Sequence, residues 1–307
     1  MNIHLLAVLQ VPQVTIAKIH RLMSSFFWGE ADGRNKKKWL AWNKMCKPVE
    51  EGGIGLRSLE DVQKALHMRF AWNLLQGNSL WANFFKTKYV GNRPWYLIEN
   101  NKGSRFWRMV VNCISLLLNN SKWKIREGDL FFWYDKWRDN GPLINDMNIM
   151  GSPFLKIKDC RLSDSWDVEL LEELVGHDRV EEIITDLAGL KNGKDVLVWI
   201  PTDTGIFSTK SAWNCIRIRG NSMVWHAWIW HKNLPLKMSI HFWRTWFMAL
   251  SVDDRLRRIG IPLVSKCNCC SHGHIEDINH VFFEGEFPFR VWSFFGNLIG
   301  IPLGRTW

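Results

Sequence analysis

Tyrosine is scarce in this chain, with 3 residues in 307, and cysteine and proline are thin at 7 and 10. Seven cysteines in so long a chain make no disulfide scaffold, and their odd number and scattered spacing point to a reducing compartment. No run of about 18 uncharged apolar residues occurs, which excludes a membrane-spanning helix and a membrane partner. The N-terminal run MNIHLLAVLQ lacks a basic start, and Pro12 interrupts it, so a secretory signal is not expected. An intracellular protein, nuclear or cytoplasmic, is expected. The chain also has no P-loop Gly-Lys-Ser/Thr, no Gly-x-Ser-x-Gly and no His-Glu-x-x-His. Their absence removes the commonest nucleotide, hydrolase and zinc-protease readings, and no small-molecule substrate is suggested.

What the chain has instead is apolar mass, tryptophan and positive charge. A 47% hydrophobic and 23% charged composition belongs to a folded protein, and the length suits two domains. Tryptophan reaches 20 residues. Most of these rings sit beside apolar positions and are expected in the core, with Trp95 and Trp137 free for stacking. The net charge is +10. Residues 1–140 hold 22 Lys+Arg against 11 Asp+Glu, residues 141–200 hold 6 against 12, and residues 201–307 hold 12 against 7. Two basic blocks thus flank an acidic one, a distribution that suits a phosphate-backbone partner, RNA or DNA. Candidate contacts are Arg34, Lys36, Lys37 and Lys38, then Arg255, Arg257 and Arg258. A solvated basic surface is the competing reading.

The periodicity predicts helices over 13–28, 59–76, 80–89, 104–118, 208–218, 223–232, 236–249, 252–259 and 288–299, and a short acidic pair within 167–189. Ser58 is expected to cap the second, and Ser251 with Asp254 to form a capping box for the one at 252–259. The segment EEGGIGL, with Gly52, Gly53 and Gly55, must turn tightly. Alternation in KWKIREGDLFFWYDKW and VLVWIPTDTGIFST predicts two β-hairpins, the second turning at Asp203-Thr204-Gly205. The expected fold is mainly α with two small β-hairpins. Three segments are expected: a basic helical region, 1–140; an acidic linker, 141–195; and a zinc-knuckle-like helical domain, 196–307.

The densest chemistry lies in SKCNCCSHGHIEDINHVFFEG. Cys267 and Cys270 have knuckle spacing, and His280 follows ten residues on. Two thiolates and an imidazole are ligands that zinc prefers, yet a structural site takes four. Cys269, His272 and His274 are nearby substitutes, and Glu284 or Glu286 could supply oxygen. Zinc is therefore possible in an incomplete site, and a turn with reduced cysteines is the alternative. The pair Asp253-Asp254 precedes RLRRIG and suits a helix start better than a two-metal polymerase site.

Taken in order, these segments resemble one family. FFWGEADGRNKKKWLAWNKMCKPVEEGGIGLRSL, KALHMRFAWNLL, SLWANFFKTKYV, WKIREGDLFFWYDKWRDNGPL, GIFSTKSAW, WIWHKNLPLKMSIHFWR, the Cys-x-x-Cys and RVW at 290–292 are similar to the post-polymerase region of plant LINE-type (non-LTR) retrotransposon reverse transcriptases, ending in the reverse transcriptase zinc-binding domain. The resemblance implies ligation by Cys267, Cys270, His280 and a final cysteine, whose position holds Gly285. It also implies a polymerase palm upstream of Met1 and an RNase H domain beyond Trp307. The expected function is that of a noncatalytic, nucleic-acid-binding fragment. The alternatives are a decayed structural remnant, or part of an RNA-directed DNA polymerase that acts only with a separate catalytic domain.

Overall fold

The computed structural model describes residues 3–31, 33–77, 79–99, 103–162, 165–187 and 193–301, without the side chains of residues 3, 4, 30, 31, 34 and 35. It is mainly α with minor β, as the periodicity predicts. The described chain forms two compact units. Unit 1 comprises Met1–Ile19 and Ser58–Ile218, and unit 2 comprises His20–Arg57 and Arg219–Trp307. The expected segments 1–140, 141–195 and 196–307 follow charge and motif, whereas these units follow packing. Helices α1 (Ile3–Val8) and α2 (Gln13–Trp28) open the chain, and Gly29 ends α2 at φ 81°. A short hairpin follows, β1 (Glu30–Ala31) with β2 (Arg34–Asn35), then α3 (Trp42–Met45).

Unit 1 is built on α4 (Leu59–Gln76), which buries Ala65, Met68, Ala71, Trp72, Leu74 and Leu75. Ser58 occupies its N-cap, but its side chain makes no cap bond. Around α4 lie α5 (Leu80–Phe85), α6 (Arg105–Val111) and α7 (Ile114–Asn119). The helix expected over 104–118 is therefore two, broken where Cys113 N–H turns back to Val110 O at 3.0 Å. The acidic pair is present as α8 (Val168–Val175) and α9 (His177–Leu187). Buried Arg138 holds α9 through Glu182 and Asp186. Helix α10 (Thr209–Ile216), with Ser208 as its cap, closes the unit against α4.

The two expected hairpins in this unit are corrected. Strand β3 (Ser121–Lys124) pairs antiparallel with β4 (Val196–Trp199), Ser121 opposite Trp199 and Lys124 opposite Val196. Each hairpin's first strand has found the other's. Residues 131–134, expected as a return strand, form a turn that buries Phe132 and Trp133 completely. The physical reason is Asp195, just ahead of β4. Its carboxylate accepts the N–H groups of Arg126, Gly128 and Asp129 at 2.6, 3.0 and 2.7 Å, so the loop after β3 is tied to the approach to β4. Alternation identifies a strand but not its partner. The turn at 203–205 does form, with Trp199 N–H donating to Gly205 O at 2.9 Å.

Unit 2 packs Trp28, Met45, Trp225, Trp243 and Ala249 into a smaller core. Its helices are α3, the end of α2, α11 (His226–Ile229), α12 (Leu236–Trp246), α13 (Asp253–Arg258) and α14 (Glu286–Leu298). The glycine segment is the expected tight turn. Gly52 sits at φ 80°, and a Cβ on Gly53 would lie 2.0 Å from Lys47 O. The Trp243 indole donates to Gly52 O at 2.8 Å, joining residues 191 apart. The capping box of Ser251 with Asp254 is corrected. Val252 takes the N-cap position without a side-chain cap bond, and Asp254 N–H donates to Glu276 O at 3.1 Å. No described helix is long and apolar enough to cross a membrane.

Candidate metal centre

A loop after α13 and a π-helical turn before α14 bring the metal-like residues together. The donor atoms of Cys267, Cys270 and His280 all lie within 4.8 Å of one another. Cys270 Sγ is 3.1 Å from His280 Nε2. Cys267 and His280 are buried, and Cys270 is half-buried. The π-turn His280–Glu284 starts under Asp277, whose carboxylate accepts the His280 N–H at 2.8 Å. Both sulfurs already accept backbone hydrogen bonds, from Cys269 N–H and Glu286 N–H, each at 3.4 Å. Such N–H···S contacts orient the sulfurs, as outer-shell hydrogen bonds do around metal ligands. Two sulfurs and an imidazole, oriented from a second shell and screened from water, fit zinc.

No other His, Cys, Asp or Glu among the described residues completes that set. Position 285 lies against it. A Cβ built on Gly285 would be 3.2 Å from His280 Nε2 and 2.6 Å from His280 O. The position that the resemblance gives to a fourth cysteine thus lies beside the cluster, and glycine there supplies no ligand atom. Of the substitutes, Cys269 and Glu284 are exposed. His272 and Glu286 are engaged with each other at 2.9 Å, and Ser271 Oγ also donates to Glu286. Hydrogen bonds from Ser271 and then His272 hold the Glu286 carboxyl down at about 2. His274 packs its ring 5.2 Å from that of His280.

The basic candidates all fall in unit 2. Lys36 and Lys37 are exposed, and Lys38 Nζ donates to Arg21 O at 3.2 Å. The side chain of Arg34 lies outside the described residues. Arg257 and Arg258 are exposed on α13, and Arg258 pairs with Asp254 at 2.9 Å. Arg255 lies over the Trp39 ring at 5.8 Å, which brings the two basic runs side by side. Spacing could not reveal that contact, because the partners are over two hundred residues apart. Unit 2 holds 18 Lys+Arg against 10 Asp+Glu, and unit 1 holds 22 against 20. The excess positive charge is thus gathered in the unit that carries the metal-like cluster.

The expected stacking rings are corrected. Trp95 and Trp137 are buried in unit 1, and the Trp137 indole is used by Phe132 O at 3.0 Å. The exposed tryptophans among the described residues are Trp228, Trp246 and Trp292, all in unit 2.

Comparison with known proteins agrees with this geometry. Residues 207–292 match the family described as zinc-binding in reverse transcriptase. That stretch contains Cys267, Cys270 and His280. Among individual proteins the chain is similar to a putative ribonuclease H protein of Arabidopsis thaliana, 24% identical over 95% of this chain and 49% of that protein. It is also similar to an uncharacterized mitochondrial protein of Arabidopsis thaliana, 25% identical over 46% of this chain and 95% of that protein. The chain therefore spans about half the length of the ribonuclease H relative. No solved structure matches.

Proposed function

We propose that unit 2 is a noncatalytic nucleic-acid-binding module, held in shape by zinc on Cys267, Cys270 and His280, that serves a reverse transcriptase whose chemistry is supplied elsewhere. The observation that supports this reading is the Arg255–Trp39 contact, which sets one residue of the run at 255–258 against the tryptophan that follows the run at 36–38. Lys36, Lys37, Arg257 and Arg258 neutralise phosphates, and the released counterions drive association. The exposed rings of Trp228 and Trp246 offer faces on which unpaired bases stack without sequence preference. The partner class is single-stranded RNA or DNA, bound nonspecifically. Zinc, when bound, supplies folding free energy to the loop between α13 and α14 and no reaction chemistry. Asp253 and Asp254 sit in the first turn of α13, where their charge complements the helix dipole, and they have no part in the proposed function.

The test is a fluorescence-anisotropy titration of labelled single-stranded RNA at several salt concentrations. Binding whose log affinity falls steeply with log salt is expected. Replacing Lys36, Lys37, Arg257 and Arg258 together by alanine should flatten the slope by about 0.7 for each phosphate no longer neutralised. Salt-independent or absent binding would favour the second reading, a structural remnant, which Gly285 at the fourth ligand position supports.

A further inference from the structure

We propose that His274 supplies the fourth ligand of the metal centre, so that this chain closes its knuckle as two cysteines and two histidines around the gap at Gly285. The inference rests on the zinc reading above and adds to it. The His274 backbone is already part of the site, because its carbonyl accepts the Cys267 N–H at 2.8 Å and fixes the loop across from that ligand. Its ring centre lies 5.2 Å from that of His280, with the planes tilted by 39°. With metal–nitrogen bonds of about 2.0–2.1 Å, two imidazoles on one tetrahedral ion place their ring centres about 5 Å apart. The two rings therefore stand at the spacing of joint ligation before any metal arrives.

The remaining movement is a side-chain rotation that turns a His274 nitrogen toward the sulfurs, since that nitrogen now lies outside the 4.8 Å set. His274 is free to make it. Its side chain is exposed, and its ring makes no hydrogen bond to any described residue. The competitors are less available. His272 and Glu286 hold each other, and Glu284 points its charge to solvent from the π-turn. Cys269 is exposed between the two ligand cysteines and contributes its N–H to Cys267 Sγ. Gly285 has no side chain with which to compete for that coordination position.

The experiment uses the full chain, with zinc affinity measured by chelator competition and the ligand set read from the visible spectrum of the cobalt(II) form. One zinc per chain is expected, with tetrahedral cobalt bands. His274→Ala should weaken zinc about tenfold or more and lower the intensity of those bands, while His272→Ala leaves both unchanged. Adding Gly285→Cys to His274→Ala should restore affinity and shift the sulfur-to-cobalt charge-transfer bands toward a three-sulfur set. If His274→Ala binds zinc as tightly as the parent with the same spectrum, the inference is overturned and the zinc reading stands. If the parent binds no zinc and Cys267→Ser changes nothing, both fall together.

Discussion

At the scale of single residues, two groups carry more strain or charge penalty than their neighbours. Gly53 lies so close to Lys47 O that an added methyl group would force the backbone apart, whereas Gly52 is constrained by its φ of 80° and less by space. Gly53→Ala should therefore cost about 3 kcal/mol and Gly52→Ala about 1–2 kcal/mol, ranked by urea denaturation. Asp135 is the second case. Burial pushes its carboxyl up to about 7, although Phe131 N–H donates to it and Lys86 and Lys156 oppose the rise that Asp195 reinforces. Between the ordinary 3.8 and about 7 the folded chain keeps a proton that the unfolded chain has released. Stability contributed by this group therefore falls as pH rises through that window and levels off above it. Asp135→Asn should remove that component, seen as a smaller drop in urea midpoint from pH 4 to pH 8 than the parent shows.

At the scale of elements, the helices were largely legible and the pairing of strands was not. The apolar spacing over 13–28 and 59–76 marks α2 and α4 because a helix's buried face is written in its own residues. A strand's partner is written elsewhere. The β3–β4 ladder depends on Asp195 holding the loop at 126–129, a contact across 66 to 69 residues that local alternation cannot encode. Asp195→Ala would leave three backbone donors without their acceptor. It should destabilise unit 1 by about 2–4 kcal/mol and raise hydrogen exchange selectively at 125–130, measured by mass spectrometry. The metal-like cluster shows the same division. Cys267, Cys270 and His280 were legible from spacing and residue type. The engagement of Glu286 by Ser271 and His272, and the free ring of His274, needed the fold of the loop.

At the scale of the whole molecule, charge, exposed tryptophan and the metal-like cluster belong to one unit, and the larger tryptophan-rich core belongs to the other. Stripping metal with a chelator should therefore raise hydrogen exchange over 219–301 and leave the protection of 59–162 as it was. A chain-wide fall in protection would show that the units do not respond separately. The Trp243–Gly52 hydrogen bond carries a last consequence, one of timing. Unit 2 is interrupted by the whole of Ser58–Ile218, so its first strip leaves the ribosome long before its second. At about 5–20 residues per second, a separation of 191 residues is a wait of about 10–40 s. Throughout it the indole of Trp28 and the thioether of Met45 have no nascent partner in Trp225 or Trp243. A chaperone that shields apolar side chains during synthesis would thus hold residues 20–57 until the strip that begins at Arg219 has emerged.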